Sequence, residues 1–211
     1  MTSHADFVQP PRIASWLVNL FTPAEEAESI LGDLLEEFCH LASKAGVPVA
    51  RRWYWRQTLK TIAHLIRAGF RAAPLSTTAA VVGGFLLMRL LSGLPERAIF
   101  AVLQRYKVFD HHFNAYVLFA SDGVAIGHVI ALLFVGCMVG LAAKGREMVA
   151  TTTLALILCA MMVAALVWIS THQPVDVAWM LWSCADPLAI VIGGAIVRTR
   201  RPAAKPLPLG A

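Results

Sequence analysis

"LALILCAMMVAALV", residues 154–167, contains no charged residue, no proline and no glycine. A helix needs about 20 mostly apolar residues to cross the hydrocarbon core of a bilayer, and the flanks of this stretch extend the apolar run to residues 149–170. The same criterion, carried outward along the chain, selects residues 75–94, 115–142 and 178–197. The expected fold class is therefore all-α: a polytopic membrane protein with four transmembrane helices. Composition agrees, because the chain is 58% hydrophobic and only 15% charged, with mean hydropathy +0.65. Soluble domains carry roughly 45–50% apolar and about 25% charged residues.

The excess is not evenly spread. Residues 1–73 read as a polar front domain, 74–198 as the membrane domain and 199–211 as a basic tail. The first long apolar run begins near Leu75 and nothing before it resembles a cleavable signal, so the front domain is expected to stay cytoplasmic. Basic residues give the same orientation. Eight precede Pro74, Lys144 and Arg146 occupy one short loop, and Arg198, Arg200, Arg201 and Lys205 follow the last span. Both termini are expected on the cytoplasmic side. In "PERAIFAVLQRYKVF", Ile99, Val102, Leu103 and Tyr106 recur at helical spacing between charges. That pattern suits a short helix lying in the outer interface, with an extension of the first span beyond Pro95 as the alternative.

Three helices account for the front domain. The first, near residues 11–20, places Ile13, Trp16, Leu17 and Leu20 on one face. The second opens on "TPAE", with Thr22 as N-cap and Glu25 completing a capping box. It carries Ile30, Leu34, Phe38 and Leu41 on one face and stops at Gly46. The third, residues 49–70, aligns Trp55, Leu59, Ile62, Ile66 and Phe70. Its other stripe, Arg52, Arg56, Lys60, Arg67 and Arg71, is read as facing anionic lipid or pairing with the acidic second helix. Successive helical residues point about 100° apart, so Trp53, Tyr54 and Trp55 form no stacking platform; Trp55 is expected in the apolar seam. Nucleic acid is excluded as a partner, since eight basic residues face seven acidic ones in this region.

"PPRIASWLVNLF", "LGDLLEEF" and "RRWYWRQTL", in that order, resemble the prefix domain found ahead of some bacterial MacB-like ABC transporter permeases. The resemblance covers residues 9–66. It implies a small cytoplasmic helical module in a bacterial inner membrane, associated with transport machinery, and it implies no catalytic residue. The bulky extracytoplasmic domain of those permeases has no counterpart here.

No phosphate-binding loop, nucleophile triad or HExxH helix occurs, so no enzyme and no cofactor is expected. The four cysteines lack metal or disulfide spacing and are read as small core residues. "DHH" at 110–112, with His172 and Asp176, is read as solvated rather than metal-binding. Gly123 and Gly127, with Gly136 and Gly140, form two GxxxG pairs that face opposite ways and predict close packing with two neighbours. Four polar residues lie inside the spans: Arg89, Asp122, His128 and Asp186. A charge at mid-membrane needs a partner or water, so Arg89 is expected to pair with Asp122 or Asp186. The function expected is a non-enzymatic accessory or regulatory component of a transport complex, with other subunits or further copies of itself as partners. Two alternatives are a small oligomeric transporter or channel using Arg89, Asp122 and Asp186, and a membrane sensor of lipid or pH.

Overall fold

The computed structural model describes residues 9–22, 24–171 and 177–200. Helix accounts for 91% of them, with no strand. The chain divides between Ala72 and Ala73 into two compact units, the second running to Arg200.

The first unit contains α1 (Arg12–Phe21), α2 (Ala24–Ala45) and α3 (Val47–Ala72). Gly46, at φ +87°, ends α2 and lets α3 start one residue later. Thr22 Oγ1 donates to the Val18 carbonyl at 2.7 Å, which finishes α1. The expected capping box falls on Pro23 and the Glu25 side chain, outside the described residues. The core is built from Ala14, Val18, Leu34, Phe38, Ala50 and Tyr54, with Ile30, Leu41 and Trp53 packed around it. The expected face of α2 is therefore the one that is buried.

The expected faces of α1 and α3 are corrected. Ile13 and Trp16 are exposed; of the expected face only Leu20 is buried, together with Ala14 and Val18. On α3 the core residue is Tyr54, 1% exposed, while Trp55 is 36% and Leu59 61% exposed. The reason is polar as much as apolar. The Tyr54 hydroxyl reaches Ser15 Oγ at 2.9 Å, and its ring meets Phe38 edge-on with centroids 5.7 Å apart. Alanines at 14 and 50 let the three helices close around that ring. Removing the ring should cost about 3–5 kcal/mol in Tyr54→Ala, against about 0.5 kcal/mol or less for Trp55→Ala, as read by urea unfolding followed in the near-ultraviolet.

The second unit contains α4 (Pro74–Leu91), α5 (Leu94–Arg105), α6 (Val108–His111), α7 (Phe113–Leu118), a π-helical turn (Phe119–Gly123), α8 (Val124–Ala142), α9 (Glu147–Ser170) and α10 (Val177–Arg200). Among the described residues, three stretches are long and apolar enough to cross a membrane: Pro74–Arg105, Phe113–Ala142 and Glu147–Ser170. α10 completes the same bundle by packing on α8 and α9.

α5 packs along α8. Contacts between α4–α5 and α8 run in one antiparallel register, from Gly84 beside Val139 to Pro95 beside Gly127 and Ile99 beside Gly123. α5 thus continues α4 after the turn at Ser92 and Gly93, the geometry that the alternative of an extended first span describes. Pro95 fits there because a proline near a helix start sacrifices no intrahelical bond, and Gly127 leaves room for its ring. Lys107, at φ +48°, then turns the chain back.

The two glycine pairs meet different neighbours. Gly123 and Gly127 receive Ile99 and Pro95, whereas Gly136 and Gly140 receive α10 at Ile190, Gly194 and Val197. Gly193 reciprocates against the Leu133 carbonyl and the Cys137 amide. α8 and α10 therefore touch backbone to backbone, and contact partners advance together along both, so the two helices are parallel. The cysteines are not core residues: Cys39 and Cys184 are exposed, and Cys137 and Cys159 only partly buried. A side chain at Gly193 has nowhere to go, so Gly193→Val should lower the melting temperature in detergent by an amount equivalent to about 1–3 kcal/mol or more. Gly83→Ala, with nothing within 4 Å of the added methyl, should be neutral or stabilising.

Candidate functional site

Where α8 and α10 pass beyond their glycine contact, a cavity of about 600 Å³ lined by both polar and apolar side chains lies between them and the start of α5. Three local departures from regular helix surround it. Pro187 follows Asp186 inside α10, and proline has no amide to give to the carbonyl one turn earlier. The π-helical turn Phe119–Gly123 brings Ser121 to the cavity, and such turns recur at functional sites. The break between α4 and α5 contributes Ser92, Pro95 and Glu96.

His128 on α8 and Asp186 on α10 face each other across this space, with Nε2 and Oδ2 3.6 Å apart and both side chains about one-third exposed. The wall is completed by Val124, Ala125, Val129, Trp182 and Ser183. Two carboxylates, one imidazole, three hydroxyls and an indole therefore line the cavity, with no lysine or arginine among the lining residues. Such a lining favours a cation over an anion, since its two carboxylates are not balanced by any lysine or arginine among the lining residues. Beneath it the packing is apolar: Leu132, Val135, Ala189 and Ile190 are all buried in one core.

The structure separates the four polar residues expected to cluster. Only His128 and Asp186 come together. Arg89 and Asp122 are exposed, and neither makes an ion pair within 4.0 Å among the described residues. Topology explains the difference. α4 and α10 each pack on α8 and α9 without substantial contact with one another, so an α4 arginine does not reach an α10 carboxylate. Pairing falls instead to the histidine on the adjacent helix.

The basic stripe of α3 is exposed at Arg52, Arg56, Lys60, Arg67 and Arg71. None of the five makes an ion pair within 4.0 Å among the described residues, although α3 packs against the acidic α2. A second cavity of about 430 Å³ lies at His111, His112, Phe113, Asn114 and Ala115. His172 and Asp176, weighed with these histidines in the sequence, lie outside the described residues. Among the described residues no group of three or more ligating side chains is placed to hold a metal.

Glu96, Trp182 and Ser183 were not singled out from sequence. Pro187 beside Asp186 was the available signal for Ser183 and Trp182, because a proline opens the turn that precedes it. Gly193 and Gly194, the other half of the α8–α10 contact, were legible as a glycine pair in an apolar span. Comparison with protein families, with curated proteins and with solved structures finds no match to this chain.

If His128 and Asp186 interact as their geometry indicates, a double-mutant cycle of His128→Ala and Asp186→Ala will be non-additive. A coupling of at least about 0.5 kcal/mol in detergent unfolding is expected. The corresponding cycle with Arg89→Ala and Asp186→Ala should be additive.

Proposed function

We propose that the chain is a non-enzymatic accessory or regulatory component of a transport complex in a bacterial inner membrane, with four spanning helices and both termini in the cytoplasm. One observation carries this reading: the cavity that holds His128 and Asp186 ends on close-packed apolar side chains. Below His128 and Asp186 lie Leu132, Val135 and Ile190, and then the glycine contact of α8 with α10. A site of that form receives a ligand or a partner's side chain from one end of the bundle and gives ions no polar route onward. α10 supports the count of four spans, because its 24 residues extend about 36 Å and it packs along two of the three apolar helices. The prefix-like motifs of residues 9–66 supply the link to transport machinery, and the distribution of lysine and arginine supports the orientation.

The competing reading is an autonomous transporter that uses the intramembrane charges. Reconstituted alone in liposomes, the protein should give no proton, sodium or potassium flux above that of empty vesicles. Isolated from native membranes under mild detergent, it should co-purify with other membrane components. Flux that appears with the wild-type chain and vanishes in Asp186→Asn replaces the accessory reading with the transporter.

A further inference from the structure

α3 has three faces, and only one of them is used by the first unit. Ala50, Tyr54 and Thr58 point into the core. At about 100° per residue, Trp55, Leu59, Ile62, Ile66 and Phe70 centre roughly 120° around the helix from that face. Arg56, Lys60, Arg67 and Arg71 centre a similar angle away on the other side, with Arg52 at the border between apolar and basic faces. The apolar row is a regular helical stripe, yet Trp55, Leu59 and Phe70 are exposed. The basic row is exposed along its whole length and unpaired among the described residues.

We propose that this outer apolar stripe, with its basic border, is a docking surface for anionic lipid, so that α3 lies in the cytoplasmic headgroup layer. Two observations select lipid over other occupants. The first is charge complementarity: free guanidinium and ammonium groups flank an apolar row that ends in Trp and Phe, the arrangement of an interfacial helix. The second is chain continuity, since Phe70 stands four residues before Pro74, where the first membrane-spanning stretch begins. The tether holds the stripe near a bilayer surface without cost in association entropy. The proposal is independent of what the cavity of the second unit binds.

The test uses the full chain in nanodiscs, with Cys39, Cys137, Cys159 and Cys184 replaced by serine and one nitroxide label introduced at Leu59→Cys or Lys60→Cys. Collision with oxygen reports lipid, and collision with a water-soluble nickel chelate reports solvent. In discs of phosphatidylcholine mixed equally with phosphatidylglycerol, the label at position 59 should favour oxygen and the label at 60 the chelate. With phosphatidylcholine alone, or in Arg52→Gln/Arg56→Gln, the oxygen preference at 59 should fall, and high salt should reduce it in the anionic discs. Equal access of the chelate to both positions overturns the proposal in favour of a solvated helix. Shielding of position 59 from both reagents overturns it in favour of a protein neighbour. An oxygen preference indifferent to phosphatidylglycerol overturns the role given to the basic border.

Discussion

Backbone contact between α8 and α10 is the constraint on which the second unit depends. Inside a bilayer apolar side chains gain little by leaving lipid for one another, so helices associate where they fit closely. Gly136 and Gly193 allow that fit because any side chain at either position would overlap the opposing backbone. The neighbouring helices follow from it. α9 closes on α10 through Thr151 beside Gly194, and α4 closes on α8 and α9 through Gly84 beside Val139 and Leu154. Small residues thus form the seams of the unit, and larger apolar residues turn outward, as Leu86, Ile130 and Leu188 do.

The cavity is the counterpart of that seam. Close packing needs regular helices, and toward His128 and Asp186 that condition lapses. Pro187 interrupts the hydrogen-bond ladder of α10, the π-helical turn interrupts the run from α7 into α8, and the α4–α5 turn interrupts the first hairpin arm. Each departure exposes polar groups that hydrocarbon would penalise, and gathering them around one polar space meets that need. The imidazole and carboxylate belong to this arrangement for the same reason.

In the first unit the organising group is a single phenol. Tyr54 fills the space between three helices, and its hydroxyl is satisfied by Ser15, so a polar tip is buried without penalty. An indole in that place would bring a donor needing a partner of its own. The apolar row headed by Trp55 is then left on the outside, where its regular spacing serves some surface other than the core.

The sequence alone determined whatever depends on composition and period: the all-helical class, three of the apolar stretches, the boundary near residue 73, the buried face of α2 and the two neighbours served by the glycine pairs of α8. These were legible because hydrophobic run length and helical spacing are local quantities. Tertiary structure alone decided which of two amphipathic faces of α1 and α3 would be core, because a 3.6-residue period identifies a stripe but not what covers it. It also decided that Asp186 meets His128 and not Arg89, since partner choice depends on which helices are adjacent and no local spacing encodes adjacency. α5 shows the same limit: its amphipathic pattern suited an interface equally well, and only the groove left by Gly123 and Gly127 drew it against α8.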